Sequence, residues 1–189
     1  MSVRLLALIP VAVAINLALS AAVDAVGLPL FLDTTGTILA AALAGPAVGV
    51  AAGMLTSLVN SLRNPTFLPF VVVQVVVALY AWGAARMGLF RNLKTAIPAG
   101  LALGVIAAAV STPISYRVFG CATSGGVTLL TLLGRSLGMS DLLACAFGSF
   151  VSDFGDKAVT FALVTTVLHA LPRRSAARFP LALRAIGTD

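Results

Sequence analysis

The sequence predicts an all-α integral membrane protein with six transmembrane helices, and three observations lead there. First, hydrophobic residues make up 60% of the 189 and charged residues only 10%, where soluble domains run at roughly half and a quarter. Second, the apolar residues come in long uninterrupted runs, and the mean hydropathy is +1.08. A soluble domain of this size could not hide so much apolar surface, and at about 20 residues per span the length allows about six. Third, Lys and Arg are distributed unevenly between alternate connections. With both termini in the cytoplasm, Arg4, Arg86, Arg91, Lys94, Arg173, Arg174, Arg178 and Arg184 lie inside, against Arg63, Arg117, Arg135 and Lys157 outside. That bias selects an N-in, C-in arrangement in the cell membrane with an even number of spans.

The chain reads as one transmembrane domain, 1–189, with spans at about 5–26, 34–44, 46–62, 68–88, 96–116 and 154–171. The first apolar run, Leu5 to Val26, is too long for a signal-peptide core and lacks a cleavage site. Pro10 is expected to kink it, and Ala14, Ala18 and Ala22 form a small-residue stripe along it. Spans two and three form a tight hairpin turned by Gly45-Pro46. Gln74 interrupts the valine run of span four, and Tyr80 and Trp82, close to Arg86, are expected as aromatic anchors at the inner interface. Between spans five and six lies a long extracellular link, 117–153, mildly helical at 127–137 and 140–150. A connection of that length is usually functional. The tail from Arg173 to Arg184 alternates basic and apolar residues, a pattern expected to lie on anionic headgroups.

In this topology the polar residues gather toward the outer side. Asp33, Thr34, Thr35 and Thr37 open span two. Asn60, Ser61, Arg63, Asn64 and Thr66 lie between spans three and four. Ser111, Ser115, Tyr116 and Arg117 end span five. Asp153, Asp156, Lys157 and Thr160 share one helical face at the mouth of span six. Polar groups inside a membrane are costly and mark functional positions, so the pattern suggests a polar bowl open to the outside. Its candidate solute-binding residues are Asp33, Thr35, Asn60, Asn64, Gln74, Tyr116, Asp156 and Lys157. A structural reading stands beside the charged face of span six and beside Gln74. Acids at a helix start favour the macrodipole, and Gln74, like Asn16, equally suits a hydrogen bond to a neighbouring helix.

Other chemistry finds little support. The +6 net charge is accounted for by topology and does not point to nucleic acid. There is no phosphate-binding loop, no HExxH or GxSxG motif and no Cys–His pairing. The chain is therefore expected to be neither an enzyme nor a holder of cofactor or metal. His169 is expected to be exposed. Cys121 and Cys145 lack metal-ligand spacing and are expected as two free apolar thiols, with a disulfide as the alternative.

Two stretches resemble a known family. LPLFLDTTGTILAAALAGPAVGVAAGMLTSLVNSLRNPTFLPF (28–70) and DFGDKAVTFALVTTVLHALP (153–172) are similar to the substrate-binding S components of energy-coupling factor (ECF) vitamin transporters, in particular the riboflavin-type branch or a near relative. The resemblance implies capture of a water-soluble vitamin or related micronutrient from outside. It also implies partnership with a membrane T component and two cytoplasmic ATPases, which would explain the missing phosphate loop. Small residues in the first span meet the T component in that family, and here the role falls to Ala14 and Ala18. No signature names the vitamin. The few aromatics near the bowl (Phe67, Phe70, Tyr116 and Phe119) do not favour a ring-stacking ligand such as a flavin. The rivals are a stand-alone small-solute carrier or channel, and a structural or sensory membrane subunit.

Overall fold

The computed structural model describes residues 3–123 and 126–187, and all regular structure among them is helical. Helix α1 spans Val3–Val26 and ends in a cap in which Gly27 and Leu28 both donate to the Val23 carbonyl. An irregular stretch, 27–34, leads into α2, Thr35–Ala44. Gly45 then adopts φ +98°, a value L-residues avoid. Pro46 opens α3, Pro46–Arg63, at the first helical position, where its missing N–H costs nothing. Asn64 ends α3 in an extended conformation, and its Oδ1 accepts from the Thr66 amide at 3.1 Å. That cap starts a 3-10 turn, Pro65–Phe70, which runs into α4, Val71–Arg86.

Helix α5, Leu93–Phe119, is capped by the Asn92 side chain on Thr95. It is followed by α6, Gly126–Ser136, and α7, Asp141–Ala170. Single helical turns α8, Arg173–Ala176, and α9, Ala182–Ala185, complete the described chain. Two packing groups result, α1–α4 and α5–α7, which meet along a seam. Glycine sets the tightest contact within the second group. A Cβ on Gly104 would stand 2.6 Å from the Phe154 Cα, and one on Gly100 2.5 Å from the Lys157 carbonyl oxygen. Only bare backbone lets α5 and α7 approach so closely.

Among the described residues, three segments are long and apolar enough to cross a membrane: Leu5–Val26, Pro65–Arg86 and Leu93–Phe119. At ten residues, α2 reaches only about 15 Å. Large apolar side chains such as Val11, Leu58, Val72, Leu79, Val105 and Leu163 are exposed, while Asn16, Thr37, Gln74, Asp156 and Lys157 are buried. Water would favour the reverse, and a lipid surround favours this arrangement.

Several expectations need correction. Helix α7 is continuous from Asp141, so Asp153 and Asp156 sit more than three turns inside it rather than at its start. The macrodipole therefore does not explain them. No proline interrupts 141–170, and Gly148 and Gly155 are tolerated within the helix. Cys121 and Cys145 are disulfide-bonded, with Cα atoms 5.5 Å apart, tying the end of α5 to α7 across α6. Tyr80, expected as an anchor, packs on Phe161 and donates to the Ala99 carbonyl at 3.0 Å. Trp82 does lie under the Arg86 guanidinium. The basic tail folds back on the bundle, burying Ala176, Ala182 and Ala185. It is held by Leu181 N–H on the Leu43 carbonyl and Arg184 Nε on the Arg86 carbonyl. His169 is exposed, with Nε2 3.1 Å from the Phe90 carbonyl oxygen.

Candidate functional site

The helices pass alternately between two ends of the bundle. At the tail end the C-terminal segment packs under Phe90, which stacks on Phe161 with centroids 4.9 Å apart. At the other end, the cavity end, the interior is polar and encloses a cavity of about 60 Å³. Both packing groups wall it.

Helical spacing explains which side chains reach the cavity. On α7, Ser149, Asp153 and Lys157 recur every fourth residue and line it, as do Ser111 and Ser115 on α5. Ser57 comes from α3, Gln74 from α4, and Asp33 and Thr34 from the stretch before α2. Phenyl rings of Phe31, Phe67 and Phe70 supply the apolar wall. A Cβ on Gly53 would lie 3.0 Å from Gln74 and 3.2 Å from Thr37. The bare α3 backbone there leaves room for those two side chains.

A hydrogen-bonded chain orders the first group. Asn16 donates to Thr37 (3.0 Å) and Thr56 (2.9 Å) and accepts from the Gly36 amide at 2.6 Å. Thr37 in turn donates to Gln74 Oε1 at 3.0 Å, and Gln74 Nε2 donates to the Asp33 carbonyl (3.2 Å) and carboxylate (3.3 Å). Asn16 thus serves helix packing, while Gln74 both packs and faces the cavity.

The charged residues of α7 divide between two faces. Asp156 is fully buried and turned away from the cavity. Its Oδ1 accepts from the amides of Phe31 (2.9 Å) and Leu32 (2.7 Å), and its Oδ2 accepts from Lys157. Leu32 takes φ +49°, a strained conformation for a branched residue. Two amide bonds to one carboxylate help hold it there. Ser152, one turn earlier on the same face, donates to the Pro29 carbonyl at 2.8 Å. Asp153 faces the cavity, accepts from Ser111 at 2.9 Å and lies 4.0 Å from the Lys157 ammonium.

Comparison with protein-family models, with curated proteins and with solved structures finds no match to this chain. The site therefore rests on its own geometry.

Of the eight residues expected in the bowl, the structure brings Asp33, Gln74 and Lys157 to the cavity wall. Thr35 is buried and donates to the Leu32 carbonyl, and Asp156 holds the backbone as described. Asn60 and Asn64 line a separate cleft of about 250 Å³ with Ser20, Asp24 and Arg63; Phe67 borders both spaces. Tyr116 is 41% exposed and stands outside both. Ala14 and Ala18 are exposed on α1.

Thr34, Ser57 and Ser149 also line the cavity, as does Asp153. A polar residue every fourth position on a mostly apolar helix was the available signal for Ser149, Asp153 and Lys157.

Toward the tail end, one to two helical turns from the lining residues, Ile38, Val77, Leu103 and Phe161 are buried in one apolar cluster. Among the described residues, no group of three His, Cys, Asp or Glu side chains could hold a metal ion. The arrangement suits reversible capture of a small polar molecule by hydrogen bonds and charge.

Proposed function

We propose that the protein is the solute-binding membrane subunit of an ECF-type importer, with six spans and both termini in the cytoplasm. One observation carries the reading: a cavity where buried polar and charged side chains meet aromatic rings, walled by both helix groups and backed by apolar packing, inside a bundle with an apolar exterior. A stand-alone channel needs a polar path through the bundle, and the apolar cluster under the cavity argues against one. The disulfide supports the orientation independently of the Lys and Arg count. Cys121–Cys145 belongs to the cavity end, and disulfides persist in oxidising compartments, which favours an outward-facing cavity end. The exposed Ala14 and Ala18 suit a close helix contact with a T component, which would bring the two ATPases.

A cavity of about 60 Å³ is well below the roughly 300–1,000 Å³ of ligand sites, so it would have to widen around a vitamin-sized solute.

Native mass spectrometry of the detergent-purified protein, followed by identification of released molecules, tests capture. A stoichiometric vitamin-sized ligand supports it. An empty protein with no thermal stabilisation by a vitamin panel counts against it. Bulky residues at Ala14 and Ala18 together should spare binding and abolish uptake, and normal uptake would reject the coupling role.

A further inference from the structure

The charges on the cavity wall do not balance. Among the described residues Lys157 is its only Lys or Arg, and it is already bonded to Asp156, which lies outside the cavity. Asp156 spends its remaining oxygen on the Phe31 and Leu32 amides. Two carboxylates remain on the wall, Asp153 and Asp33. Asp153 is held 4.0 Å from the same ammonium. Asp33 receives only a 3.3 Å hydrogen bond from Gln74 and has no ion-pair partner among the described residues. Thr34, 2% exposed, also lines the cavity, and its hydroxyl has no hydrogen-bond partner among the described residues. The wall thus offers a surplus of acceptors to an incoming group and no free cation.

The wall also carries aromatic surface. Of the four aromatics expected near the bowl, Phe67 and Phe70 reach this small space, and Phe31 adds a third phenyl ring. Ring faces attract cations as well as flat apolar surface. An anionic group would meet Asp33 and Asp153 at short range in a poorly screened setting, where like charges repel strongly.

Building on the reading of this cavity as a solute site, we infer that the solute is a small aromatic or heteroaromatic cation. Its charged N–H groups bond Asp33 and the Thr34 hydroxyl while its ring lies against the phenyl wall. Carboxylate- and phosphate-bearing solutes are disfavoured.

Three probes of matched shape test the charge: benzamidinium, benzamide and benzoate. Each is added at millimolar concentration to the full-length protein in phosphatidylcholine nanodiscs, and thermal unfolding and ligand-observed NMR are recorded. Benzamidinium should stabilise and bind, benzamide less, benzoate not at all. Asp33→Asn keeps an acceptor for Gln74 and should weaken benzamidinium by about tenfold, the usual scale for losing a charge-assisted bond. Asp141→Asn, on an exposed acid paired with Arg135, should leave it unchanged. If Asp33→Asn does not fold, Asp153→Asn supplies the same readout. A preference for benzoate, equal effects of benzamidinium and benzamide, full binding in the Asp33 variant, or no binding by any probe would overturn the inference. A natural ligand that proves anionic would overturn it while leaving the importer reading intact. Cation binding without any ATPase-dependent uptake would do the opposite.

Discussion

The same helices build both ends of this bundle, and the two ends bury opposite chemistry. At the tail end, Phe90, Phe161, Leu168 and Val164 pack against Ile38, Leu43 and Leu103, and the folded-back tail seals them. At the cavity end, one or two turns along the same α2, α4, α5 and α7, the interior holds Thr37, Gln74, Ser111, Asp153 and Lys157. Apolar packing asks only for volume, whereas the polar end needs a partner for every buried group. Within one helix, a shift of a turn or two separates what holds the fold from what can serve a ligand.

Substitutions can break or sharpen that contrast, starting with the largest expected effect. Lys157→Met leaves Asp153 and Asp156 without their cation, and losing one member of a buried pair costs about 3–5 kcal/mol. The thermal midpoint in detergent should fall sharply, and adding Asp156→Asn should restore part of it. A loss below about 1 kcal/mol would mean the cavity end tolerates unpaired buried acids. Lys157 is only 2% exposed, so its replacement tests stability as much as binding. Phe161→Ala opens a cavity in the tail end and should cost about 3 kcal/mol without changing which solutes bind. Altered selectivity there would erase the contrast. Gly104→Ala forces α5 away from α7 and should cost about 1–3 kcal/mol by overpacking, measured in the same melts. Gln74→Leu removes the link between Thr37 and Asp33, with about 1–2 kcal/mol lost and a comparable loss of ligand affinity by titration. Ser115→Ala should be mildest, about 0.5 kcal/mol at most, because no hydrogen bond of its side chain ties it to the network.

Much of the fold was legible because hydropathy and chain punctuation are local signals. The Gly45-Pro46 turn and the ends of α1, α2 and α3 lie within a residue or two of their expected positions. The start of α7 was misplaced because the charged residues at 153–157 resembled a helix mouth, and only a three-dimensional partner explains charge in mid-helix. Asp33, Gln74 and Lys157 were readable as polar intrusions into apolar sequence. The role of Asp156 was not, since it depends on backbone amides more than a hundred residues earlier. The pairing of Cys121 with Cys145 likewise depends on how α6 folds back along α7.

The seam between the two helix groups is fastened unequally. Along one edge, Asp156 and Ser152 grip the backbone of residues 29–32 with three hydrogen bonds. Across from it, contact between the 3-10 turn and the end of α5 includes Phe70 stacked on Phe119, centroids 5.9 Å apart, a kind of contact worth roughly 0.5–1.5 kcal/mol beyond its buried area. A sheet glued firmly on one side and lightly on the other peels from the light side. At the cavity end the seam should therefore loosen first beside Phe70, where the phenyl wall already stands.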